Sequence, residues 1–114
     1  MFRKYIPDGF WHSESNGVFV SHEAVCILNT HPHTVHVELT LYFEDRDKIS
    51  GFHMDIASER TKHIRMDQIM NDQGICVPQN TPYAIVVDSS HEVQIQYSRV
   101  DTSQAEMAVA TTMV

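Results

Sequence analysis

Residues Val35 to Glu44, VHVELTLYFE, alternate without a break. Val35, Val37, Leu39, Leu41 and Phe43 fall on one face, and His36, Glu38, Thr40, Tyr42 and Glu44 on the other. Period two predicts an antiparallel strand with one buried face. A helix would scatter those apolar residues around its circumference. AVCILN (24–29) is apolar at nearly every position and predicts a central strand. GFHMDIA (51–57), TKHIRM (61–66), YAIVVDS (83–89) and EVQIQYSRV (92–100) alternate or are rich in β-branched residues, and each predicts a further strand. RKYI (3–6) stands just before Pro7, which cannot donate to a ladder, so it predicts an edge strand.

Turn residues separate these runs: PDG at 7–9, SNG at 15–17, THPHT at 30–34, DRDK at 45–48, NDQG at 71–74 and PQNTP at 78–82. Short strands at near-regular spacing predict an all-β fold, a single-domain antiparallel β-sandwich of about eight short strands over residues 1–101. No helical stripe of 12 or more residues occurs before residue 100. Residues 102–114, TSQAEMAVATTMV, carry Glu106 as their one charge and read as a short flexible or helical tail. Ser103 and Glu106 have the spacing of a capping box.

A length of 114 residues suits one domain and one core. Eight basic against fifteen acidic residues make the net charge 8 − 15 = −7, which repels phosphate backbones and anionic membrane surfaces. The longest apolar runs fall far short of the roughly 20 residues a bilayer span needs. The start, MFRKYIPDGFW, lacks the apolar stretch of a secretory signal. With Cys26 and Cys76 as the only cysteines, read as free thiols, the expected compartment is the cytoplasm.

Three segments hold candidate chemistry. HPHTVH sets His31, His33 and His36 close together, and imidazole is a good zinc ligand. No Cys or carboxylate completes a known ligand spacing, so the segment reads as a solvated polar loop, with neither metal nor cofactor implied. SHEAVCILN puts Ser21, His22 and Glu23 at the mouth of an apolar strand. RTKHIR (60–65) and SRVDTSQAE (98–106) supply Arg60, Arg65 and Arg99, rigid donors suited to carboxylates, phosphates or vicinal hydroxyls. Glu23 and Asp101 are available to pair with them, and structural ion pairs at strand ends are the competing reading. Ser21, His22 and Cys26 show neither a nucleophile elbow nor an oxyanion loop, which leaves hydrolysis as the last-ranked class. Arg60, Lys62 and Arg65 form a small basic segment without interleaved aromatics, a weak nucleic-acid signal.

At these same residues the chain resembles the sensory rhodopsin transducer family. IPDG, SHEAVCILN, HVELTLYFED, RTKHIR and SRVDTSQAE occur in the family's order with similar gaps, over roughly Tyr5 to Ala108. The loop FWHSESNGV (10–18) departs from the family pattern. The resemblance implies a β-sandwich subunit, a homotetramer and a non-enzymatic signalling role with a membrane photoreceptor or another protein as partner. It also implies DNA binding in some members and sugar-like ligands in others. Carried over by position, it marks Ser21, His22, Glu23, Asn29, Arg60, Thr61, His63, Arg99 and Asp101 as ligand-binding residues, and Gln104 and Glu106 as partner-binding.

A rigid sheet fixes what its rim loops carry. The expected site is one rim that gathers Ser21–Glu23, Arg60–His63 and Arg99–Asp101, with Trp11, Tyr83 or Tyr97 either as a stacking face or as core. The expected function is a signalling module that binds a small polar, sugar-like ligand or a protein partner. A DNA-binding regulator and a small metal-dependent or hydrolytic enzyme are the alternatives.

Overall fold

The computed structural model describes residues 1–16, 20–102 and 108–114. Within them the alternating segments form β1 (Phe2–Gly9), β2 (His22–Asn29), β3 (Val35–Phe43), β4 (Ile49–Ile56), β5 (Arg60–Arg65), β6 (Tyr83–Ser89), β7 (Gln94–Asp101) and β8 (Ala108–Met113). They make two four-stranded sheets, ordered β1-β6-β3-β4 and β5-β2-β7-β8, and every pairing is antiparallel.

Residue parity explains the packing. Val35, Val37, Leu39 and Leu41 of β3 face inward with Phe52, Ile56, Ile85 and Val87 from the same sheet. Val25 and Ile27 of β2, Ile64 of β5, and Ile95 and Tyr97 of β7 meet them from the other sheet. Each such aliphatic side chain contributes about 1.5–3 kcal/mol by leaving water. A single 3-10 turn, Met66–Gln68, follows β5 and buries Met66.

β2 lies between β5 and β7, as a central strand should. Its faces are nevertheless unequal. Glu23, Val25, Ile27 and Asn29 are buried, whereas Ala24, Cys26 and Leu28 lie on the sheet's outer face and are half-buried or exposed. The apolar character of both faces therefore does not arise from two-sided core packing.

Two sequence expectations are revised. Pro7, Asp8 and Gly9 continue β1 as an irregularity instead of turning the chain, because the register with β6 shifts between Ile6 and Gly9. An edge strand tolerates the proline there, and Gly9 passes so near Tyr83 that a Cβ would lie 2.8 Å from Cε2 of that ring. The tail also differs, since Ala108–Met113 is neither helix nor loose end but a strand paired with β7, from Asp101↔Ala108 to Gln96↔Met113. Alternate β-capable residues, with the β7 edge open beside them, favour the ladder over a six-residue helix, which is marginal alone. The capping-box pair Ser103 and Glu106, with Gln104, lies outside the described residues.

Candidate functional site

Glu23 shares the parity of Val25 and Ile27, so β2 carries its carboxylate into the core, where the residue is 1% exposed. The register sets it directly opposite Arg99 of β7. The main-chain N–H of Phe10 donates to Glu23 Oε2 at 2.7 Å. The Tyr83 hydroxyl donates to Oε1 and the Tyr97 hydroxyl to Oε2. Arg99 Nε lies 3.7 Å from Oε2. A buried carboxylate is tolerated only with such a set of donors. Burial and the nearby Glu23 charge push the Tyr83 phenol well above the ordinary tyrosine range. Burial and the hydrogen bond to Glu23 do the same for Tyr97. Burial works against the Arg99 charge, but Tyr97, Glu23 and Asp8 outweigh it and raise its pKa overall.

Arg99 reaches outward as well. Its Nη2 donates to Asp8 main-chain O at 3.3 Å and Asp8 Oδ1 at 3.4 Å, and its Nε to the Tyr97 hydroxyl at 3.3 Å. These are long contacts, and Nη1 makes no hydrogen bond among the described residues. The guanidinium lines a cleft of about 360 Å³ between β1 and β8, walled by Tyr5, Pro7, Asp8, Tyr97, Thr112 and Val114 among others. One cation, one exposed carboxylate and two tyrosine rings thus face a mostly apolar cleft. A second recess, about 500 Å³, lies on the outer face of the other sheet over Ala84 and Val86, flanked by Tyr5 and Tyr42. It has no comparable link to the buried carboxylate.

The expected single rim does not form. Glu23 and Arg99 are opposed at one end of β2, whereas Arg60 opposes Asn29 at the other. Six residues of strand separate the two ends, about 20 Å. Ser21 and Asp101 stay at the Glu23 end. Ser21 Oγ donates to Glu14 O at 2.8 Å and accepts from Thr102 N at 2.9 Å, and it clamps the loop before β2. Asp101 Oδ2 lies 3.4 Å from His12 Nε2. His22 is also at this end, with Nδ1 2.9 Å from Val20 O.

Asn29 is fully buried at the far end and is an organiser of backbone. Its Nδ2 donates to the carbonyls of His33, Ile56 and Ala57 at 2.9, 3.0 and 3.1 Å, and its Oδ1 accepts from His31 N at 2.9 Å. Arg60 donates to the carbonyl of Glu59 at 3.0 Å. Thr61 Oγ1 donates to Ile27 O at 3.4 Å. His63 pairs with Cys26 across the outer face. Gln104 and Glu106 fall outside the described residues.

Among the described residues no group of three or more His, Cys, Asp or Glu is arranged to hold a metal ion. The rings of His31 and His33 stack at 5.4 Å, and His91 joins them, 4.3 Å from His33. His36 turns instead to Asp55 at 2.6 Å. In the basic segment, Arg65 is tied to Asp67 at 2.6 Å. No helix among the described residues is long and apolar enough to cross a membrane.

Asp8, Tyr5 and the Phe10 amide were not among the candidates read from the sequence. Nothing local marks them, because β1 meets β7 and β8 only through the sandwich. Glu23, expected on the rim, is instead a core residue, because it shares the inward side of β2 with Val25 and Ile27. Tyr83 and Tyr97 prove to be core residues with polar tips, and Trp11 packs against the core partly buried.

A family described as the Anabaena sensory rhodopsin transducer matches residues 3–114. The solved structure described as the crystal structure of Thermotoga maritima 1070 superposes with a TM-score of 0.86 at 30% identity, covering 97% of this chain and 90% of that one. The solved structure of the Anabaena sensory rhodopsin transducer superposes at 0.74 with 31% identity, covering 83% of this chain and 92% of that one. No curated protein matches the chain.

Proposed function

The chain belongs to the Anabaena sensory rhodopsin transducer family, and from that premise we propose that it is a non-enzymatic signal-relay module that takes a small, sugar-like ligand in the β1–β8 cleft. The supporting observation is the double engagement of Arg99, which contacts Asp8 at the cleft and Glu23 in the core. A vicinal diol fits between them, since its oxygens accept from the guanidinium and its hydroxyls donate to the Asp8 carboxylate. Tyr5, 62% exposed, offers the stacking face.

The same arrangement supports a relay. A ligand that draws Arg99 toward the cleft loosens its contact with Glu23, and Glu23 is bonded to Tyr83 on the opposite sheet. Occupancy of the cleft is thereby felt where the two sheets join. The receiver in this reading is a protein, a membrane photoreceptor or another partner, met by a cytoplasmic homotetramer. Ser21, His22 and Asp101 stand on the ligand side, whereas Asn29, Arg60, Thr61 and His63 lie away from it. Gln104 and Glu106 belong to the partner contact. The DNA-binding alternative has less behind it, given the charge of −7 and the tie between Arg65 and Asp67.

A thermal-shift screen against sugars, sugar acids, nucleotides and duplex DNA tests the reading. A native-state ligand at a hundredfold excess over Kd adds about 2.7 kcal/mol of stability. The expected hit is a sugar or sugar acid whose effect disappears in Arg99→Ala and survives in Arg60→Ala. A sugar effect that survives Arg99→Ala, or no sugar effect at all, removes the cleft as the site.

A further inference from the structure

Each sheet ends in two edge strands, β1 and β4 in one, β5 and β8 in the other. A bare edge is a template for another strand, and proteins blunt their edges with charges, prolines and bulges. Three of these four edges are blunted. β1 carries Arg3, Lys4 and Asp8 with Pro7 at a register shift. β4 carries His53 and Asp55. It is also partly covered, because Asp72 N donates to Gly51 O at 3.0 Å and Asn71 Nδ2 to Ser50 O at 3.0 Å. β5 carries Arg60, Lys62 and Arg65.

β8 has none of these devices. AVATTM holds no charge and no proline. Its six-pair register with β7 has no shift. No strand among the described residues pairs with its outer side. We infer that β8 is a docking edge, on which an extended segment of a partner protein adds as the fifth strand of the β5-β2-β7-β8 sheet. This rests on the signal-relay reading for the existence of a partner and adds where that partner binds.

The edge also states the partner's chemistry. Val109 and Met113 stand on one face of β8, 59% and 63% exposed, with Thr111 between them. A strand laid alongside buries them best with apolar residues at alternate positions, which is how strand addition gains specificity. β8 has no charge of its own, so charge selection comes from its surroundings. The chain carries −7, and the Asp8 side chain, across the cleft from β8, is 87% exposed. A basic flank is attracted and an acidic one repelled.

The probe is a short synthetic peptide of alternating valine and threonine flanked by lysines, titrated into the full chain at moderate salt. Binding is read by fluorescence anisotropy, and its place by amide hydrogen exchange. The expected result is saturable binding with exchange slowed at Val109–Met113. Affinity should fall at least tenfold with glutamate flanks, and equally in Val109→Lys or in Thr111→Lys, two exposed substitutions that leave the β7 ladder in place. Arg60→Ala, on the opposite edge strand β5, should bind the peptide normally. No protection at β8, or undiminished wild-type affinity in both lysine variants, overturns the inference. So does a concentration-dependent mass increase of the chain alone that the lysine variants abolish, which would assign the edge to a second copy. Peptide binding without any sugar effect defeats only the ligand reading, and the reverse defeats only this one.

Discussion

The Tyr83 hydroxyl on β6 donates to the Glu23 carboxylate on β2, so a hydrogen bond inside the core joins the two sheets. The Tyr97 hydroxyl and the Phe10 amide complete the shell from β7 and from the end of β1. Arg99 connects that shell to solvent through Asp8.

Removing the carboxylate strands its donors. Glu23→Ala should cost about 3–5 kcal/mol, the range for breaking a buried charged network. Tyr83→Phe should cost about 1–3 kcal/mol, because one lobe of the carboxylate then loses its donor. Urea unfolding measures both. A loss under about 1 kcal/mol for Glu23→Ala would mean that water satisfies the site.

Alkaline stability follows from the same shell. Tyr83 and Tyr97 have raised folded-state pKa values, so the unfolded chain loses those protons first. Their contribution is complete below the ordinary tyrosine pKa of about 10 and declines as pH rises above it. Each buried phenol should steepen that decline by about 1.4 kcal/mol per pH unit. Near-ultraviolet absorbance should show two of the four tyrosines ionising only as the protein unfolds. In Tyr97→Phe the decline should be shallower.

His91 gives the opposite sign. Burial and the neighbouring His33 and His31 lower its pKa. Its contribution is therefore present above the unfolded value of about 6.5 and is lost as pH falls toward the folded value. NMR titration should place the His91 midpoint below those of model histidine peptides. His91→Gln should flatten the acid side of the stability profile.

Asn29→Ala should release three carbonyls and one amide at the end of β2 and β4, for about 2–3 kcal/mol. Because Asn29 lies at the far end from Arg99, sugar binding in the cleft should persist. Thermal unfolding with and without ligand separates the two effects.

The outer face of β2 exposes Leu28 beside the half-buried Ala24 and Cys26. If the chain assembles as a homotetramer through this face, Leu28→Lys should lower the solution mass toward that of one subunit. Light scattering reads it directly. A wild-type chain that is already monomeric ends the tetramer proposal.

The β-sandwich was legible because alternation is a local property. VHVELTLYFE and EVQIQYSRV declare their buried faces within a few residues. Glu23 was read as a rim residue, because AVCILN is apolar on both faces and does not say which side β2 buries. The tail misled because AVATTM has no strong alternation of its own, and only the open edge of β7 makes it a strand. PDG looked like a turn because the same three residues serve an irregular edge strand equally well.

What the sequence by itself determined is the strands before residue 102, the buried face of those that alternate, and the set of polar residues at the strand ends. Only the tertiary structure decided which of those ends meet. Pairing β2 with β5 and β7 sets Arg60 against Asn29 and Arg99 against Glu23, at opposite ends of one strand. That choice rests on register between segments tens of residues apart, set by how all the inward faces fill one core.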